Sequence, residues 1–267
     1  MAEPSAATPL IKRARHGDVL HLALNRPAKR NAANDALVEA LEASFTSIPK
    51  DVRAIVLSGE GEHFCAGLDL SELSERNVFE GILHSRGWHT ALERVQYAPV
   101  PVVAALHGAV VGGGLEIAAA CHVRVAESSA FYAFPEGQRG IFVGGGGSVR
   151  VPRLIGAARV ADMMLTGRVL DATEGQALGL STYLVEPGQG LAKAMALAEK
   201  IAANAPMSNY AVIQALPRIA ELAPSEGLFV ESLVAAIAQG EPAAKERLRA
   251  FLEKRAAKVE RPQGGPR

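Results

Sequence analysis

The sequence predicts an α/β protein with a mostly parallel sheet and a helical C-terminal region. Three observations carry this. Short apolar strands alternate with amphipathic helices through the first two-thirds of the chain. Helical segments follow one another after residue 189 with no strand between them. Of the 267 residues 49% are apolar, enough for a sizeable core in one large domain with an appendage. We place the division at 195/196, with residues 1–195 as the α/β core and 196–267 as the helical region, although no linker composition marks it.

The elements follow in order. "VLHLALNRP" (19–27) alternates and then meets Pro27, a strand and its exit. "NDALVEALEASFTSI" (34–48) spaces Leu37, Leu41, Phe45 and Ile48 three or four apart, an amphipathic helix with Asn34 as its N-cap. "RAIVLSG" (53–59) is a buried strand ended by glycine, and 79–96 is helical. Pro99 and Pro101 introduce a strand over 102–108. A short apolar helix, "LEIAAAC", comes next, then the strands "HVRVAE" and "AFYAF". After Pro152, "IGAARVADMMLTG" and "DATEGQALGLSTYLVE" predict two helices and a last strand. Four helices close the chain: 189–204, 206–221, 225–239 and 241–259, the last with proline in its first turn.

Composition excludes several function classes. There are 28 basic and 28 acidic residues, so no strong field draws the chain to nucleic acid or to a membrane surface. Cys65 and Cys121 make neither a metal spacing nor a disulfide framework, as expected of reduced thiols in a cytoplasmic protein. No apolar run approaches the ~20 residues of a membrane span. The opening "MAEPSAATPL" has no basic n-region and no apolar h-region, so no secretory signal is expected there. It and "ERPQGGPR" read as tails.

Three stretches carry chemistry. In "GAVVGGGLEIAAAC" (108–121), Gly112, Gly113 and Gly114 open the short helix. Its first N–H groups can stabilise an anion or a developing oxyanion. Neither the phosphate-loop nor the dinucleotide pattern is present. Glu116 sits alone among small apolar residues, where desolvation raises a carboxylate's pKa and the helix N-terminus lowers it. Perturbed carboxylates are candidates for acid–base work. Glu136, after Pro135 in "FYAFPEGQRG", is a second candidate, and two carboxylates at one site can divide acid and base roles. In "GEGEHFCAGLDLSEL" (59–73), Ala66 and Gly67 follow a strand's carboxyl end, where ligands bind in open α/β sheets. Asp69 either caps the next turn or meets a ligand.

These stretches in this order, with "LNRPAKRNA", "GGGGSVRVPRLIG" and "LTGRVLDATEGQALGLSTYLVE", resemble the crotonase superfamily of enoyl-CoA hydratases and isomerases, over residues 18 to 258. The resemblance implies a spiral of βαβ units with a helical C-terminal region, assembled as homotrimers or homohexamers. It implies an oxyanion hole formed by the N–H groups of Ala66 and Gly113. Residues Ala66, Gly67, Leu68 and Asp69 would line the coenzyme A pocket, and Glu116 and Glu136 would be the catalytic pair, with Glu116 activating water and Glu136 donating the proton. Coenzyme A would be part of the substrate, with no permanently bound cofactor and no metal. Lys29 and Arg30 are expected near its phosphates; Lys254, Arg255 and Lys258 could reach those of a neighbouring subunit. His122 stands where this family usually has aspartate, and a structural role is expected for it. Gly137, Arg139 and Val143 also depart from the pattern, which points to a reshaped acyl pocket. "PEGQRGIFVGGGGSVR" is similar to methylthioacryloyl-CoA hydratases, which also hydrolyse the thioester. The alternatives are therefore such a hydratase–hydrolase, an isomerase, or an RNA-binding member of the fold.

Overall fold

The computed structural model describes residues 8–72 and 76–255. The first strands, β1 (Ile11–His16) and β2 (Val19–Leu24), form an antiparallel hairpin. Its two-residue turn places Gly17 at φ +55°, as hairpin turns of this length require. Sequence patterning did not show β1, because only Ile11 of its six residues is buried. An exposed edge strand lacks the apolar alternation that patterning detects.

The chain continues through α1 (Asp35–Thr46), β3 (Ala54–Gly59), α2 (Val78–Gln96), β4 (Val102–Leu106), β5 (Ala109–Val111), α3 (Gly113–Ala120), β6 (Val123–Glu127) and β7 (Phe131–Ala133). It then runs through α4 (Gly147–Ile155), α5 (Ala157–Thr166), β8 (Leu170–Asp171), α6 (Ala172–Leu178), β9 (Tyr183–Val185) and α7 (Gly190–Ala202). Asn34 caps α1 as expected, accepting the Leu37 amide, and Asn77 with Glu80 forms a capping box on α2.

One sheet has the order β1-β2-β3-β4-β6-β9, with every pair after the hairpin parallel. Alternation along its strands divides the core in two. Val19, Ala54, Val56, Val103, Ala105 and Val125 pack with Ala194, Ala198 and Ala202 of α7. Leu20, Leu22, Ile55, Leu57, Val102, Ala104 and Leu106 face the larger core with α1, α2 and α3. A second sheet has the order β5-β7-β8.

The expected strand over 102–108 ends at Leu106, and a second strand, β5, begins at Ala109. Gly108, at φ +52°, turns the chain out of the first sheet into the second. A Cβ there would lie 2.2 Å from the Glu62 carbonyl oxygen, so only glycine fits the corner.

Contacts divide the chain between Ala203 and Asn204. The expected division at 195/196 falls inside α7, whose alanines belong to the core. The second unit holds α8 (Pro206–Gln214), α9 (Leu216–Ile219), α10 (Pro224–Gly240) and α11 (Pro242–Leu252). The single helix expected over 206–221 breaks at Ala215, because Pro217 has no N–H to donate and crowds the preceding turn. Helix α11 ends at Leu252, before the expected 259, and residues 256–259 lie outside the described residues.

Candidate active site

Helix α3 is buried on nearly all sides, as its small apolar sequence predicts. Glu116, in its first turn, is 4% exposed. One carboxylate oxygen, Oε1, accepts two backbone hydrogen bonds, from Gly145 at 2.8 Å and Gly147 at 2.7 Å. The other, Oε2, makes none among the described residues. Burial pushes the Glu116 pKa up; the amides of Gly147 and Gly145 and the charge of Arg150 oppose this by favouring the ionised form.

The three glycines serve close approach. Gly112, at φ +52°, turns β5 into α3, and a Cβ on it would lie 2.6 Å from Glu136 Oε1. A Cβ on Gly114 would meet the Cys65 carbonyl oxygen at 2.2 Å. The start of α3 thus presses directly on the 65–68 segment.

Glu136 leads into a single 3-10 turn, Gly137–Arg139, after β7. It is 8% exposed, and its Oε2 is buried with no hydrogen-bond partner among the described residues. Burial pushes its pKa up to about 7; its own amide opposes this, Glu116 adds to it and Arg139 pulls it back. Both glutamates line one cavity of about 410 Å³, with Leu68, Gly113, Ser85, Trp88 and Val143 on its walls.

The backbone of residues 65–69 corrects one expectation. The Ala66 N–H donates to the Arg30 carbonyl at 3.0 Å, so it is not available to an oxyanion. Two residues on, Leu68 pairs with Ala33 through its neighbours: Ala33 N donates to Gly67 O, and Asp69 N donates to Ala33 O. In such a parallel bridge, the Leu68 N–H itself points away from Ala33. Neither it nor the Gly113 N–H has a hydrogen-bond partner among the described residues, and both residues line the cavity. A Cβ on Gly113 would lie 3.7 Å from the Leu68 nitrogen, so the two free donors are neighbours.

The remaining candidates sit around this centre. Gly67, at φ +96°, packs on the Val111 carbonyl. Asp69 accepts from Ser71 Oγ at 2.6 Å and from the Ser71 amide, and it pairs with Arg26 at 3.0 Å. The Ser71 hydroxyl, chiefly, holds its pKa below the usual carboxylate range. Asp69 is thus committed to capping its turn. Lys29 and Arg30 are exposed, with Lys29 Nζ 3.3 Å from Ser71 Oγ beside that segment. In the second unit Arg255 pairs with Glu246 and Glu253, while Lys258 lies outside the described residues.

His122 is structural, as expected. Its Nδ1 accepts from the Val102 amide and its Nε2–H donates to the Gln96 carbonyl, each at 2.9 Å. Burial pushes it down to about 4, so the ring is neutral. Of the other departures, Val143 lines the cavity, whereas Gly137 lets its turn pack on the Met164 carbonyl and Arg139 acts on Glu136 by charge.

A sequence profile described as enoyl-CoA hydratase/isomerase matches residues 14–262. The chain belongs to the enoyl-CoA hydratase/isomerase family. Among relatives of this family, a "Probable enoyl-CoA hydratase" of Rhizobium meliloti is 36% identical over 245 residues, covering 90% of this chain and 94% of that protein. A short-chain-enoyl-CoA hydratase of Clostridium acetobutylicum is 33% identical over 90% of this chain and 94% of its own length. A crystal structure of a "putative enoyl-CoA hydratase" from Rhodopseudomonas palustris superimposes with a TM-score of 0.90 at 57% identity, covering 94% of this chain and 98% of that one.

Sequence reasoning missed Ser85 and Trp88 as walls of this cavity, Arg150 as a charge acting on Glu116, and the 144–147 loop as the holder of Glu116. The four consecutive glycines were the visible signal, since such a run permits tight wrapping around a side chain. No helix of the described residues is long and apolar enough to cross a membrane.

Proposed function

We propose that the protein hydrates an α,β-unsaturated acyl-CoA to the 3-hydroxyacyl-CoA. One observation carries this: two glutamates in different surroundings line a single cavity together with the free N–H groups of Leu68 and Gly113. Glu116, favoured as the anion by two amides, takes a proton from water, and the water oxygen bonds to the β-carbon. The double-bond pair moves onto the α-carbon and thioester oxygen, and the enolate oxygen is held by the Leu68 and Gly113 N–H groups. Glu136, which keeps its proton up to about pH 7, delivers it to the α-carbon. Proton return from Glu116 to Glu136 through solvent completes the cycle.

Coenzyme A enters as part of the substrate. Lys29 and Arg30 are the proposed contacts to its phosphates, because the Arg30 carbonyl anchors the Ala66 amide, two residues before Leu68 of the cavity wall. We also propose a homotrimer or a pair of trimers built through the helical unit. Leu228, Phe229, Leu233 and Ile237 on α10 are exposed apolar residues suited to such contacts, and sedimentation in an analytical ultracentrifuge reads the assembly directly.

The test of function is loss of the conjugated thioester absorbance on adding crotonyl-CoA and a panel of other enoyl-CoAs. Hydration is expected, and Glu116→Gln is expected to slow it by about 10²–10⁴-fold. Release of free thiol instead would indicate thioester hydrolysis, and no change with any substrate would refute the hydratase reading.

A further inference from the structure

Three consecutive peptide units lead into α4, and each carbonyl is held, the first two by side chains and the third by the first-turn amides of α4. The Gly144 carbonyl accepts a hydrogen bond from Ser85 Oγ at 2.6 Å. The Gly145 carbonyl accepts from Arg150 Nη1 at 2.9 Å. The Gly146 carbonyl accepts from the Val149 and Arg150 amides at 3.1 and 3.0 Å. At the other ends of the first and third units are the two N–H groups that hold Glu116 Oε1.

The first unit is the informative one. The Gly144 carbonyl and the Gly145 N–H belong to the same planar peptide, so Ser85 and Glu116 grip its two ends. A peptide between two glycines has no Cβ on either side to resist turning over. Nothing local therefore fixes which way it faces. Turned over, it would present a carbonyl oxygen to the carboxylate in place of an N–H. The frame that prevents this is α2: Ser85 lies on it, with His89 Nε2 3.4 Å from the hydroxyl, and Gln96 at its end accepts from Arg150 Nε at 2.7 Å.

We propose that Ser85 is a positioning residue for Glu116. Its hydroxyl fixes the Gly144–Gly145 peptide with the N–H toward the carboxylate. That keeps Oε1 engaged and leaves Oε2 as the oxygen free to meet water. The proposal rests on Glu116 acting as the base, and it adds a residue that acts on Glu116 through a peptide plane.

Substitution of Ser85 removes none of the charged or titratable side chains around Glu116. They are Arg150 on α4, Glu136 with Arg139 after β7, and Arg76, His84 and His89 on and just before α2. The experiment compares Ser85→Ala and Ser85→Thr in the full chain. It reads kcat, KM and the pH profile with crotonyl-CoA, and the carboxylate infrared band of Glu116 against pH, assigned with Glu116→Gln.

Ser85→Ala is expected to lower kcat by about tenfold or more with KM within about twofold, since a lost hydrogen bond to a group aligned for the reaction acts on turnover. The acid limb and the infrared titration should both move up by about half a pH unit or more, because the anion loses a donor. Ser85→Thr keeps the hydroxyl and should restore both. Unchanged turnover and titration in Ser85→Ala would overturn the proposal. So would a rise in KM alone, which would make Ser85 a substrate contact. If Ser85→Ala does not fold, Ser85→Cys, a weak donor of similar size, is read by the same criteria. The infrared titration uses the free protein, so failure to hydrate any substrate counts against the hydratase reading and leaves this test standing.

Discussion

Replacing Glu136 by glutamine should make the protein more stable and less active, and the gain should depend on pH. In the folded chain, burial lifts this carboxyl from its ordinary 4.5 to about 7, and Oε2 has no partner among the described residues. At about 1.4 kcal/mol per pH unit, a rise of that size corresponds to about 3 kcal/mol. Water entering the cavity reduces it, leaving about 1–3 kcal/mol. The sign follows from proton binding. Between 4.5 and about 7 the folded state holds the Glu136 proton and the unfolded state releases it, so stability falls as pH rises through this window and levels off above it. Glutamine has nearly the same shape and carries no charge. Glu136→Gln should therefore melt several degrees higher than the parent at pH 8, at about 2–4 °C per kcal/mol for a domain of this size. At pH 5 the two should nearly coincide. Circular dichroism melts at both pH values measure the gap, and hydration should fall by about 10²-fold or more at either. Equal gaps at pH 5 and pH 8, or a less stable variant at pH 8, would refute the reasoning.

Three more outcomes follow from buried residues. His122, pushed down to about 4, binds its proton more weakly in the folded than in the unfolded chain, so it costs stability as pH falls from 6.5 toward 4. His122→Gln should be less stable at pH 7 but flatter over that window; urea midpoints at pH 4.5 and 7 check this, and an unchanged decline would reject it. This slope opposes that of Glu136, so Glu136→Gln should also show a steeper acid loss than the parent. A Cβ on Gly113 would lie 2.7 Å from Trp88 Cη2, a side-chain clash. Gly113→Ala should therefore lower kcat, and adding Trp88→Leu should recover part of it in steady-state assays; no recovery would place the damage in the backbone.

Much of the fold was legible because apolar alternation and helical spacing are local. The strands at 54–59 and 123–127 and the helix capped by Asn34 each announce themselves within a dozen residues. Strand β1 and the corner at Gly108 were not legible. One is polar on an exposed edge, and the other is decided by the distant Glu62 carbonyl. At the site, Glu116 stood out as a carboxylate in an apolar run. Its holders, Gly145 and Gly147, lie about thirty residues away.

The sequence by itself determined the residue types: two glutamates, each beside a glycine-rich turn, on alternating strands and helices. Tertiary structure alone decided which backbone donors are free. Ala66 and Leu68 are two residues apart in the same segment, yet one N–H is bound to Arg30 and the other has no partner among the described residues. In a regular strand amides two residues apart point the same way; Gly67, at φ +96°, breaks that regularity, and the neighbouring segments then determine which donor is satisfied.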